Sequence, residues 1–221
     1  MPSIAKDKWK IKRIMSKKIL IIGAGGHGRV VAEIAQLSGY TEICFLDDNT
    51  ENELCHISGK ISDYTKYLDE YDFFVAIGNN EIRKRMYEEL FNVKAGIATL
   101  IHPNSVISKD VKIGKGSAVM AGAIINTNVV IGNGSIINTS SSVDHDCKIG
   151  NYTHISVGAH VAGTVEIGEC VFVGAGVTII NDIKICNDCL IGAGAVVVKN
   201  IDKQGKYKGV PAKLSGGKNS L

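Results

Sequence analysis

The chain has 221 residues, 45% of them apolar, enough for one or two domains with real cores. Its net charge of +3 is concentrated at the start: Lys6, Lys8, Lys10, Lys12 and Arg13 against Asp7 give residues 1–14 a charge of +4, leaving −1 for the remainder. That balance offers no basic surface for nucleic acid, and no stretch of 18 apolar residues exists to insert in a membrane.

Residues 1–16 read as a flexible leader without the apolar segment of a signal peptide, and Met15 is the expected functional start. Six unevenly spaced cysteines resemble no disulfide framework and fit a reducing cytoplasm.

Residues 17–98 read as an α/β, Rossmann-like half domain. The apolar run Lys18–Ile22 predicts a buried parallel strand, followed by Gly23-Ala-Gly-Gly-His-Gly28 and a helix with Val30, Ile34 and Leu37 at helical spacing. A second strand, Ile43 to Leu46, ends in Asp47-Asp48, and a third, Phe73 to Ile77, ends in Gly78-Asn79-Asn80. A second helix follows, with Asn80 as the expected N-cap and Ile82, Met86 and Leu90 on one face. All three polar loops follow strand carboxyl ends, the edge at which such sheets bind ligands. The glycine loop suits a pyrophosphate at a helix N-terminus, and Asp47 lies near the spacing at which an acid meets a ribose hydroxyl. About 80 residues allow only half of a dinucleotide-binding sheet, so a mononucleotide diphosphate such as a UDP-sugar is expected rather than NAD. His27 is either a donor to phosphate or sugar, or an exposed polar residue.

Residues 99–213 have another grammar. From Leu100 to Ile201 the chain forms 17 uninterrupted hexads with Ile or Val at every second position, and 13 of the 17 carry Ser, Thr, Ala or Val at the sixth. This pattern predicts a left-handed parallel β-helix, three hexads per triangular coil, with the aliphatic residue pointing inward and the small residue beside a corner. Gly114, Gly132, Gly150, Gly168, Gly174 and Gly192 follow the aliphatic position and are expected to give the corners backbone freedom. Residues 214–221 read as a flexible tail.

Most corners read as solvated turns; Asp144-His145-Asp146-Cys147 differs. A histidine between two carboxylates can work as a base near neutral pH, one carboxylate fixing the tautomer and stabilising the imidazolium. His154 and His160 follow, His154 expected in the next face region rather than stacked over His145. A uniform prism makes no pocket alone, so the site needs a neighbouring subunit's wall. Cys147 and Cys189 occupy small-residue positions and read as packing. Cys186-Asn-Asp-Cys189 lacks the second pair that a four-ligand zinc site needs, so no metal is expected.

The hexads, the closing Tyr207-Lys-Gly-Val-Pro-Ala-Lys213, and the front-domain motifs Gly26-His-Gly28, Phe45-Leu-Asp-Asp48 and Tyr71-Asp-Phe-Phe-Val-Ala-Ile-Gly-Asn-Asn-Glu-Ile-Arg83 resemble the hexapeptide-repeat sugar acetyltransferases with an N-terminal nucleotide-sugar domain. The resemblance covers residues 17–213. It implies a homotrimer with sites between adjacent β-helices, transferring acetyl from acetyl-CoA to the 4-amino group of a UDP-4-amino-4,6-dideoxy sugar, to give a bacillosamine-type UDP-diacetamido sugar. It makes His145 the general base and Asp146 its partner. Gly25, Gly26, His27, Asp47, Asp48 and Gly78 correspond to UDP-sugar positions, Asn138 to a position near the reacting sugar, and His154, Gly163, Ala175 and Ala193 to the acetyl-CoA arm. O-acetylation of a sialic acid or other sugar hydroxyl shares the architecture, and a non-catalytic nucleotide-sensing scaffold is the alternative from another class.

Overall fold

The structure, a computed structural model, describes residues 17–50 and 55–216. The expected leader and residues 217–221 of the expected tail lie outside these.

The first domain is a five-stranded parallel sheet. It comprises β1 (Lys18–Ile22), α1 (Gly26–Leu37), β2 (Glu42–Leu46), β3 (Ile57–Gly59), β4 (Asp72–Val75), α2 (Asn80–Asn92) and β5 (Gly96–Ile97), in the order β3-β2-β1-β4-β5. β3 and β5 were not evident in the sequence because they are only three and two residues long. The helix faces also differ from expectation. α1 buries Val31, Ile34 and Ala35, leaving Val30 and Leu37 exposed, and α2 buries Arg83, Met86, Tyr87 and Leu90, leaving Ile82 exposed. Asn79, not Asn80, caps α2, its side chain accepting from the amides of Glu81 and Ile82.

From Leu100 the chain winds as a triangular prism. The first face contains the pairs at 100–101, 118–119, 136–137, 154–155, 172–173 and 190–191; the second those at 106–107, 124–125, 142–143, 160–161, 178–179 and 196–197; the third those at 112–113, 130–131, 148–149, 166–167 and 184–185. Ladders are parallel with an 18-residue step, as in Ile136↔His154 and Ser142↔His160. From Val119 to Val197 every aliphatic of the second hexad position is buried, and so is every sixth-position residue from Ser117 to Ile201. In the first three hexads Ile107 and Ile113 are half-buried and Ile101 is 39% exposed. Ser117, Ser135 and Thr153 satisfy their buried hydroxyls on the carbonyls of Gly132, Gly150 and Gly168 in the next coil.

The third-position glycines serve a different purpose from that expected. The left-handed backbone falls two residues later, at Gly116, Asn128, Ser140, Asp146, Tyr152 and their equivalents. What Gly114, Gly132, Gly150 and Gly168 meet is the next coil: an added Cβ at Gly150 would lie 2.4 Å from the carbonyl carbon of Gly168. Contact between stacked backbones, not turn conformation, excludes side chains there.

After the last coil, Lys206–Lys208 extends the first face and pairs antiparallel with Lys213–Gly216, so the tail expected from residue 214 starts as a strand. The first domain sits on the first face, where Leu100, Ala118, Met120 and Ile136 pack with Ile21, Val31 and Phe74. α2 lies along the edge between the third and first faces, where Tyr87 stacks with Tyr152.

Candidate active site

His145 sits on the edge between the second and third faces, the edge opposite the first domain. Its Nδ1 lies 2.8 Å from Oδ2 of Asp146, so the aspartate side chain is long enough to hold the ring. Asp146 adopts φ +61°, a conformation aspartate tolerates, and its other oxygen accepts from Asn128 Nδ2 one coil below. Asp144 accepts from Asn126 Nδ2 and from the His145 amide. The hydrogen bond to Asp146, helped by the charges of Asp144, Asp146 and Asp182, raises the His145 pKa above its ordinary value despite some desolvation. Asn128 first and His145 second hold Asp146 below the usual carboxylate range. With Nδ1–H donated to Asp146, Nε2 carries the free lone pair. One coil above lies Gly163, where an added Cβ would be 2.6 Å from both Cε1 and Nε2 of that ring. The structure thus unites His145, Asp146 and Gly163.

The other predicted residues lie elsewhere. Asn138, Ala175 and Ala193 line the edge between the first and second faces. His154, expected in the next face region, is on the first face with the whole third face between it and His145, because nine residues are one and a half hexads. Asn138 Nδ2 is 3.0 Å from His154 Nε2, whose ring packs edge-on against Phe172. Gly25, Gly26, His27, Asp47, Asp48 and Gly78 gather at the carboxyl edge of the first-domain sheet. An added Cβ at Gly25, Gly26 or Gly78 would meet nothing within 4 Å, whereas at Gly28 it would lie 2.0 Å from the carbonyl oxygen of Gly23. Asp47 spans Ala24 N–H and Asn49 N–H, and Asp48 accepts from Ile61 N–H, so both carboxylates shape the loops at this edge.

His27 and His154 are both neutral. Burial first, then the charge of Arg83, lowers His27 to about 4; the same two causes, with a smaller contribution from His27, lower His154 to about 3. Nε2 of His27 and Nδ1 of His154 are buried without a hydrogen-bond partner. Cys147 donates to the Ala162 carbonyl, and burial pushes its thiol up to about 11. Cys186 and Cys189 have their sulfurs 3.5 Å apart, and burial raises Cys189 to about 12.

Sequence reasoning gave no role to Arg83 or Asn128 and read Asn80 only as a helix cap. Asn128 meets Asp146 one 18-residue coil away, so the coil period is its signal, whereas the contacts of Asn80 and Arg83 with the prism follow no local motif.

Residues 18–90 match the PglD N-terminal domain, and residues 164–199 the bacterial transferase hexapeptide (six repeats). The acetyltransferase domain of PglB from Neisseria gonorrhoeae FA1090 superposes with a TM-score of 0.87 at 39% identity, over 90% of this chain and 100% of that one. The chain belongs to the hexapeptide-repeat sugar acetyltransferases. Another member of this family, PerB from Caulobacter crescentus, solved with CoA and GDP-perosamine, has a TM-score of 0.85 at 34% identity, over 90% of this chain and 97% of that one. UDP-N-acetylbacillosamine N-acetyltransferase of Bacillus subtilis (strain 168) is 34% identical over 107 residues, 44% of this chain and about half the length of that relative.

For an acyl-CoA arm the edge between the first and second faces is suitable. It is built of small residues, an added Cβ at Gly176 or Gly194 would meet nothing within 4 Å, and His154 Nε2 reaches Asn138 there. A concavity of about 610 Å³ runs along Lys148, Glu166 and Lys184 on the third face and includes none of the predicted site residues.

Proposed function

We propose that the chain transfers the acetyl group of acetyl-CoA to the 4-amino group of a UDP-4-amino-4,6-dideoxy sugar, giving a UDP-diacetamido sugar of the bacillosamine type for bacterial glycan or glycoprotein synthesis. The observation that carries this reading is the His145 ring, held through Nδ1 by Asp146 with Nε2 free beside Gly163. Acetyl-CoA supplies the thioester. The attacking amine must lose a proton, and His145 Nε2 accepts it while Asp146 stabilises the imidazolium. The Gly163 amide is the natural donor to the carbonyl oxygen as negative charge develops there. The imidazolium then returns its proton to the departing sulfur, so the ring ends as it began.

In this reading the chain works as a homotrimer with second faces turned inward. The outward row of that face, Val106, Ile124, Ser142, His160, Thr178 and Val196, is free of Lys, Arg, Asp and Glu, whereas the third face presents Lys112, Lys148, Glu166 and Lys184. Charge depletion marks association surfaces. A threefold arrangement lays one protomer's His145 edge beside the next protomer's Asn138, Ala175 and Ala193 edge, joining groups that a single chain keeps apart. A cytoplasmic setting suits a CoA donor and the six unpaired cysteines.

One neighbour favours a second reading of the nucleotide: PerB was solved with GDP-perosamine. A panel of UDP-4-amino, GDP-4-amino, UDP-hydroxy and sialic acid acceptors with acetyl-CoA, followed by thiol release, tests the assignment. Release with UDP-4-amino sugars is expected; release with hydroxyl acceptors alone would overturn N-acetylation.

A further inference from the structure

Arg83 is 1% exposed, and its five N–H groups meet five neutral acceptors. Nε donates to the Gly134 carbonyl at 2.8 Å; one terminal nitrogen donates to the carbonyls of Ile77 and Gly78, the other to Asn80 Oδ1 and the Tyr152 carbonyl. Burying a guanidinium without a carboxylate is costly, and the full set of hydrogen bonds makes it tolerable. The fork joins two bodies. Ile77 and Gly78 end the β4 loop of the first domain, whereas Gly134 and Tyr152 are left-handed corner residues of successive prism coils.

The neighbours of Arg83 on α2 extend the same row. Tyr87 donates its hydroxyl to the Gly116 carbonyl at 2.7 Å, and Asn80 Nδ2 donates to the Cys170 carbonyl at 3.2 Å. The corner carbonyls of residues 116, 134, 152 and 170, one per coil, are therefore all bonded from one face of α2. At about 1.5 Å per residue, Asn80 and Tyr87 lie about 10 Å apart along the helix, while four stacked coils span about 14 Å. The long forked side chain between them takes the two middle coils. Lysine, with three donors on a point charge, cannot reproduce that pattern.

We propose that Arg83 is a positioning residue, fixing the Ile77–Gly78 loop in register with the coils of the prism so that a nucleotide sugar held at that loop is presented to the neighbouring protomer's His145 edge at a set height. The proposal rests on the preceding reading that Gly78 belongs to the nucleotide-sugar site. Arg83 itself touches no substrate.

The test uses the full chain with Arg83→Lys, Arg83→Met and Arg83→Ala. In Arg83→Lys we expect the KM for the UDP-4-amino sugar to rise tenfold or more while that for acetyl-CoA stays within twofold. Backbone amide exchange should quicken in residues 77–80, with exchange in residues 136–179 unchanged. Guanidinium at low millimolar concentration should recover part of the lost affinity in Arg83→Ala and have no effect on the parent protein. If Arg83→Met and Arg83→Ala do not fold, the KM ratio and loop exchange of Arg83→Lys decide. Equal changes in both KM values, or unchanged exchange at residues 77–80, would overturn the positioning role. Failure of the parent protein to acetylate UDP-4-amino sugars would count against the assigned substrate, and the exchange measurement would still judge Arg83.

Discussion

An added methyl group at Gly163 would lie 2.6 Å from Nε2 of His145, the atom proposed as the base. The two residues are 18 apart in sequence, one coil apart in space, and the ring rests where a side chain would otherwise be.

Gly163→Ala should therefore act on chemistry rather than folding. The group it strikes is a half-exposed ring, which can swing away. Misplacing a reacting group by about 1 Å can cost ~100-fold, so kcat is expected to fall tenfold to ~100-fold with little change in Tm. Gly150→Ala should do the reverse. Its new Cβ strikes the backbone of Gly168, which cannot move without parting the coils, and overpacking of this kind costs about 1–3 kcal/mol or more. Thermal melts and steady-state rates of the pair check both outcomes; a Gly163→Ala enzyme of full activity would show that the ring need not stay there.

The pH dependence follows from the Asp146 contact. Because the His145 pKa is raised, the unprotonated base forms only above its ordinary titration range, and kcat/KM should fall on the acid side through an apparent pKa above 6.5. Asp146→Asn removes the main cause of the rise. The acid limb should move to lower pH while the maximum rate drops, as orientation and imidazolium stabilisation are lost. A limb that stays in place would show that Asp146 does not set the titration.

How much of this was legible in the sequence depends on the range of the interaction. The prism was fully legible, because each coil repeats one rule and the Ile or Val at every second position must go inward. The contact between His145 and Asp146 was legible too, the two being adjacent. The role of the third-position glycines was misread, since one chain segment does not reveal which coil abuts it. Val30 was grouped with Ile34, and Ile82 with Met86, because spacing alone does not say that Val31 and Arg83 are the residues facing inward. His154 and His145 were put on neighbouring faces, while the topology separates them by a whole sheet. Contacts between the first domain and the prism, such as Asn80 with Cys170, were invisible because nothing local marks them.

His27 and His154 should stay neutral throughout the working pH range. Their folded pKa values, about 4 and about 3, lie below the unfolded value of 6.5, so the unfolded chain takes up protons that the folded chain refuses. The stability they permit is complete above pH 6.5 and declines as pH falls toward 4. Imidazole resonances of both residues should be flat from pH 5 to 8; a midpoint near 6.5 for either would contradict its burial.

A charge placed on the second face should dissolve the proposed trimer. Thr178→Arg sets a cation in the row that carries neither sign, and is expected to give monomers by light scattering with loss of turnover. Lys184→Glu on the third face should leave the trimer intact. A Thr178→Arg protein that remains trimeric and active would place the interface elsewhere.

The most direct test is His145→Ala, with binding and turnover measured on the same preparation. The variant should bind the UDP-4-amino sugar and acetyl-CoA as the parent does by calorimetry, while kcat falls by the roughly 100- to 10,000-fold that a general base supplies. Turnover within threefold of the parent would contradict the assignment of His145 as the base.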